Sequence, residues 1–222
     1  MHLTGNIYWY PWEGIGNNCN SCLIAGEKNL LVDPGHLRNE MGERCLEKLK
    51  ARLENDGFNL DDISLILCTH GHPDHCESAS TISQESGAKI AIYHEEEQVL
   101  EAVSRMFRMD PIKPDLLLQE GDLEIGEGEK KIIKVIHTPG HSPGSVSFFL
   151  PEEGALISGD AVFRGSIGRT DLPGGDMNAL GRSIEKLANL SGVKWLLPGH
   201  MDLVEGEDNV AHNLSAIKSF FF

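Results

Sequence analysis

The segment THGHPDHCES (69–78) places His70, His72, Asp74 and His75 within six consecutive positions. Burying so many polar groups without compensation is strongly unfavourable, so the cluster calls for a metal centre. His70 and His72 are two residues apart at the end of an extended run and point to the same side. Pro73 turns the chain, and Asp74 and His75 begin a helix aimed elsewhere. One stretch can therefore serve two ions, but neither shell is complete.

Three further donors sit at the ends of expected strands, each beside a glycine that lets the backbone bend. They are His141 in TPGHSPGS, Asp160 in ISGDAVF and His200 in LLPGHMD. The expected grouping is His70, His72 and His141 on one ion and Asp74, His75 and His200 on the other, with Asp160 bridging. Two divalent ions are the expected cofactors, zinc first, with iron and manganese also compatible with these ligands. His2, His36, His137 and His212 read as ordinary hydrogen-bonded residues, and His94 stays open between the two roles.

The elements that must position these groups alternate. Strands are expected at 21–25 and 29–32, then a helix over 38–55 with Met41, Leu46, Leu49 and Leu53 on one face and Gly57 beyond its end. A strand at 64–68 delivers the histidine cluster, followed by a helix at 77–86 and a strand at 89–93. The spacing predicts a helix over 94–108, with Val99, Val103, Met106 and Phe107 on one face. Strands follow at 122–125, 131–137, 146–150 and 155–158. A helix at 176–189, a strand at 194–197 and a helix at 207–222 complete the pattern, the last carrying Val210, Leu214, Ile217 and Phe221 on one stripe. Each half supplies several strands and a covering helix, so two stacked sheets with helices outside are the economical architecture. The Phe220–Phe222 run reads as packing against the body, with a homodimer contact as the sharper alternative.

The 222 residues suffice for one domain with a full core over 1–222. A formal net charge of −15 argues against a nucleic-acid partner, because phosphate binding draws on clustered lysine and arginine. No apolar run is long enough to cross a bilayer, and the first residues carry no signal-peptide pattern, so a cytoplasmic protein acting on a small molecule is expected. Five cysteines do not form a disulfide framework. Cys19 and Cys22 form a CxxC pair best read as structural, Cys45 and Cys68 read as small buried hydrophobes, and Cys76 is placed to line the metal site without ligating.

HGHPDH followed by His141, Asp160 and His200 resembles the metallo-β-lactamase superfamily, whose signature is HxHxDH with three downstream ligands. The resemblance runs from about Ile7 to His200. It implies an α+β fold, an αββα four-layer sandwich of two mixed β-sheets flanked by helices, with the metals at one edge. SIGRTDLPGGD (166–176) is similar to the glyoxalase II-like (hydroxyacylglutathione hydrolase-like) enzymes. LVDPG (31–35) is similar to the segment whose aspartate, here Asp33, hydrogen-bonds the metal cluster from behind. Against authentic glyoxalase II, the chain lacks a helical C-terminal substrate domain, Arg169 stands near the lysine position, and no tyrosine follows it.

The implied reaction is hydrolysis of a thioester or ester by a metal-bound hydroxide. Asp74 is the candidate proton acceptor besides its role as ligand, Asp160 bridges, and Arg169 is the candidate for a substrate carboxylate, against an internal ion pair with Asp171 or Asp176. Persulfide dioxygenases resemble the sequence too, and would use a single iron on His70, His141 and Asp160. A lactonase is a further alternative, with an acyl chain near Trp9 and Trp12. β-Lactamase activity is not expected, since enzymes of that kind tend to carry cysteine at the position of Asp160. Ribonuclease-type relatives need a basic extension and flavodiiron relatives a flavin domain.

Overall fold

The computed structural model describes residues 1–107, 110–126 and 130–222, with all their side chains except those of Gln98 and Val99. Thirteen strands among these residues form two mixed sheets. The first contains β1 (His2–Thr4), β2 (Ile7–Tyr10), β3 (Ser21–Ile24), β4 (Asn29–Val32), β5 (Ile63–Leu67), β6 (Lys89–Tyr93) and β7 (Leu116–Leu118), neighbours in that order. The second contains β8 (Gly121–Ile125), β9 (Lys131–His137), β10 (Val146–Leu150), β11 (Ala155–Gly159), β12 (Trp195–Pro198) and β13 (Val204–Glu205), also neighbours in chain order. Six helices accompany them: α1 (Cys45–Asn55), α2 (Pro73–Cys76), α3 (Ala79–Ser86), α4 (His94–Phe107), α5 (Met177–Ala188) and α6 (Glu207–Phe221).

The layers follow from strand parity. Leu30 and Val32 of β4 face an inter-sheet core with Phe148, Val135 and Ile157, while Leu31 between them faces the cluster shared with Leu46, Leu49 and Leu53 of α1 and Ile82 of α3. A strand buried on both faces reads as a continuous apolar run, which is why LLV shows no alternation. In the second sheet, Phe149 and Leu156 turn outward onto Leu180, Ile184 and Leu187 of α5 and Val210, Leu214 and Ile217 of α6. The fold is the expected α+β arrangement of helix, sheet, sheet, helix.

Several expectations are corrected. The helix expected over 38–55 begins only at Cys45, because the Asn39 side chain accepts from the amides of Met41 and Glu43 and Gly42 sits at φ +80. That turn competes with helix, and Met41 is exposed. The helix expected at 77–86 begins at Ala79 as α3, and Asp74 and His75 lie in the separate short helix α2. On α4, Leu100 and Val103 are buried but Met106 and Phe107 are exposed. Arg108 and the Val99 side chain, assigned to the same helix, lie outside the described residues. β1, β2, β7 and β13 are not among the expected strands; each is two to four residues long and is fixed by its pairing. Trp9 packs between the sheets instead of at a pocket, whereas Trp12 lines a cavity of about 310 Å³ with Tyr10, Lys48 and Arg52. Phe221 packs on the second outer cluster, but Phe220 is largely exposed. No helix among the described residues is long and apolar enough to cross a membrane.

Topology gathers the donor-bearing loops at one edge. β4 and β5 are parallel, as are β11 and β12, so within each sheet the C-terminal strand ends lie side by side. Those ends lead into Asp33, His70, Asp160 and His200. The β9–β10 turn carries His141 to the same edge, where the Val146 amide donates to the Thr69 carbonyl across the two sheets (2.9 Å).

Candidate metal centre

All seven candidate donors meet. His70, His72 and His141 form one group, Asp74, His75 and His200 a second, and His70, His75 and Asp160 a third between them; within each group the donor atoms lie within 4.8 Å of one another. His141 Nε2 lies 3.2 Å from His70 Nε2 and 2.8 Å from His72 Nδ1. His75 Nε2 lies 3.3 Å from His200 Nε2 and 3.1 Å from Asp160 Oδ1. The other Asp160 oxygen is 3.5 Å from both His141 Nε2 and His200 Nε2, and Asp74 Oδ2 is 3.3 Å from His200 Nε2. His70 and His75 are fully buried, and His72, His141 and Asp160 nearly so.

Hydrogen bonds behind the rings decide what faces the centre. His75 Nδ1 donates to Asp33 Oδ2 (2.9 Å), and His141 Nδ1 donates to the Arg169 carbonyl (2.7 Å). A neutral imidazole that donates from one nitrogen presents a lone pair at the other. In the neutral form that a ligand requires, His75 and His141 therefore aim lone pairs at Asp160 and at other imidazoles. Asp160 Oδ1, although buried and close to His75, has no well-aligned hydrogen-bond donor. Converging lone pairs and a carboxylate repel one another unless protons or cations intervene, and a histidine and carboxylate set of this kind fits divalent metals.

Protonation follows the same logic. Burial pulls the His75 pKa down, but Asp160 and Asp33 outweigh it and hold it well above its ordinary value. His200 is pulled down by burial and raised further by Asp160 and Asp74, to about 9. Burial and the neighbouring imidazoles push His70 well below its ordinary value, and burial with His141 lowers His72 to about 4. Burial works to raise the Asp160 pKa, but His75 and His200 outweigh it and hold it low.

The flanking residues sort clearly. Asp33, at φ +50, also accepts from the Thr69 amide (2.8 Å) and hydroxyl (2.7 Å), fixing the residue before His70. Arg169 brings its carbonyl to His141, while its guanidinium makes a bidentate pair with Asp171 (2.6 and 2.7 Å) in solvent. The Cys76 thiol donates to the His72 carbonyl (3.0 Å) and packs in the outer core, so it does not line the centre. Cys19 donates to the Asp33 carbonyl (3.3 Å), and burial with Asp33 and Asp74 pushes its thiol pKa up. All five cysteines are free and buried. His94 lies tilted against Tyr93 (ring centroids 4.5 Å apart) and joins no donor group among the described residues.

Two supporting residues escaped the sequence reading. Asn17 donates to Asp74 Oδ2 (2.8 Å), and Asn20 donates to the carbonyls of Pro198 (3.0 Å) and Met201 (2.8 Å), bracketing His200. Asparagines in a glycine-rich loop look like turn formers, and only the partner loop distinguishes them.

The fold and the site define a metallo-hydrolase-type centre, and residues 14–200 match the model of the metallo-beta-lactamase superfamily. The chain belongs to that superfamily. It is 34% identical over 205 residues to the hydroxyacylglutathione hydrolase GloC of Haemophilus influenzae, covering 88% of this chain and 90% of that one. Among solved structures, the B3 metallo-beta-lactamase BLEG-1 is 31% identical with a TM-score of 0.74, over 95% of this chain and 99% of that one. TTHA1623, solved in a di-iron-bound form, is 31% identical with a TM-score of 0.67, over 89% and 91% of the two chains.

Proposed function

We propose that the protein is a binuclear metallohydrolase that cleaves a thioester or ester, in the manner of glyoxalase II-like enzymes. The observation that carries this reading is the pair of three-residue donor groups standing side by side with Asp160 between them. His70, His72 and His141 would hold one divalent ion and Asp74, His75 and His200 the other, most fittingly zinc, with iron or manganese also compatible. Bound there, such ions would supply a hydroxide at neutral pH and polarise a carbonyl. The likeness to GloC supports a thioester substrate.

The chain's own residues set the geometry. Asp33 and the Arg169 carbonyl fix the ring orientations of His75 and His141. Asp74, held by Asn17 and 3.3 Å from His200 Nε2, is the residue that would accept a proton from the attacking water. Phe163 stands edge-on to His200 (5.8 Å) and Phe107 to His72 (6.0 Å), so an apolar side chain flanks each half of the centre. The Arg169 guanidinium meets a substrate carboxylate only by leaving Asp171.

Elemental analysis followed by a substrate panel tests the reading. Two ions per chain with turnover of S-acyl glutathione thioesters is expected. One iron per chain with oxygen consumption on glutathione persulfide would instead establish the dioxygenase reading on His70, His141 and Asp160. Turnover confined to lactones or β-lactams would keep the centre and reassign the substrate.

A further inference from the structure

Glu95, Glu96 and Glu97 open α4, where acidic side chains ordinarily stay in solvent and favour the helix N-terminus. Glu96 alone turns fully inward. Its Oε1 accepts from the Gly71 amide (2.9 Å), and its Oε2 accepts from the Ser142 hydroxyl (2.8 Å) and the Gly144 amide (2.8 Å). Gly71 lies between His70 and His72, and Ser142 follows His141. A single carboxylate thus ties together two loops that leave different sheets and carry the three histidines of one donor group.

The surrounding packing is built for that contact. A Cβ at Gly144 would lie 2.2 Å from the Glu96 backbone nitrogen, and one at Gly71 would lie 2.6 Å from Leu100 Cδ2 and 3.2 Å from Glu96 Oε1. Only glycine admits so close an approach of the first turn of α4 to both loops. Burying a carboxylate is unfavourable, and here three donors compensate it. Tying down a helix end needs one such bond; three bonds divided between two histidine loops do more.

We infer that Glu96 is a positioning residue, which holds His70, His72 and His141 in register to bind one divalent ion, while Asp33, Asn17 and Asn20 hold His75, Asp74 and the His200 loop of the other group. The inference rests on the reading of these groups as metal sites. Glu96 touches none of the seven donors directly and acts through the backbone beside them.

Cobalt titration of the metal-free protein, followed by visible absorption, tests it with Glu96→Gln, Ser142→Ala and Leu100→Ala. Wild type should take two equivalents. Glutamine keeps an acceptor for one loop but turns an amide donor on the other, so one equivalent should weaken by roughly 10–100-fold, as loss of an outer partner does. Its ligand-field bands should shift while those of the other equivalent stay. Ser142→Ala should give a smaller change in the same equivalent, and it decides the matter if Glu96→Gln does not fold. Leu100→Ala removes packing from the same helix without touching the hydrogen bonds; it should lower the melting temperature and keep both equivalents. Unchanged cobalt binding in both polar variants, or the same selective loss in Leu100→Ala, overturns the positioning role alone. A wild-type chain that binds no cobalt overturns the metal reading and this inference with it.

Discussion

The Asp33 carboxylate and the His75 ring meet through one hydrogen bond, 2.9 Å from Oδ2 to Nδ1, and this bond decides which imidazole nitrogen faces the centre. The same carboxylate is anchored by the Thr69 amide and hydroxyl, so it is locked before any ligand arrives. Replacing Asp33 by Asn keeps the size and tolerates φ +50, but it brings an amide N–H against the Nδ1–H of His75. Affinity for one of the two ions should fall by roughly 10–100-fold. Competition against a chromophoric chelator measures this, and unchanged affinity for both ions would count against the role of Asp33.

Proton release should distinguish the two proposed ions. A histidine must be neutral to ligate. His75 and His200 hold protons in the metal-free protein, His200 up to about 9, whereas His70 and His72 are already neutral at pH 7. As pH falls below about 9, protons compete for His200, and His75 holds a proton as well, so affinity for an ion on Asp74, His75 and His200 falls with pH. Calorimetry in buffers of differing ionisation enthalpy should find more protons released there than at the histidine trio. Equal release at both would contradict the assignment.

Gly199 precedes His200 at a position where a side chain has no room. A Cβ there would lie 2.3 Å from Asp160 Oδ1 and 2.6 Å from His75 Cε1, both in the centre itself. Gly199→Ala should lower kcat/KM by at least roughly tenfold, equivalent to about 1.4 kcal/mol of transition-state stabilisation. Steady-state kinetics at saturating metal would show it. Full activity would mean that Asp160 and His75 can shift without consequence.

Away from the centre, Phe148 is fully buried between the two sheets. Phe148→Ala should destabilise the fold by about 3–5 kcal/mol through lost burial and the cavity left behind. Urea unfolding of the metal-free protein, which avoids stabilisation by bound ions, is the appropriate measurement. A loss below about 1 kcal/mol would indicate that the sheets close over the gap.

Local sequence carried much of the architecture. Strands β4, β6, β9 and β10 fall at their expected residues because each is a compact apolar or alternating run bounded by turn residues. Helix α1 was overextended because Met41 continues an apolar spacing, whereas the Asn39 turn and Gly42 end it earlier. β1, β7 and β13 are too short to carry a periodicity of their own and exist through their neighbours' hydrogen bonds.

By itself the sequence determined which residues can bind a cation, because histidine and aspartate at such density beside glycine and proline leave few other uses. It also determined the family, through HGHPDH and the order of the downstream donors. Tertiary structure alone decided how these groups are held. Asn17 from one loop reaches Asp74, Asn20 brackets His200 across the sheets, and one of three consecutive glutamates turns inward to join two histidine loops. Contacts of that kind join residues up to 181 positions apart, as between Asn20 and Met201. Chain spacing says nothing about such pairs; parallel strand ends and the closing of one sheet over the other bring them together.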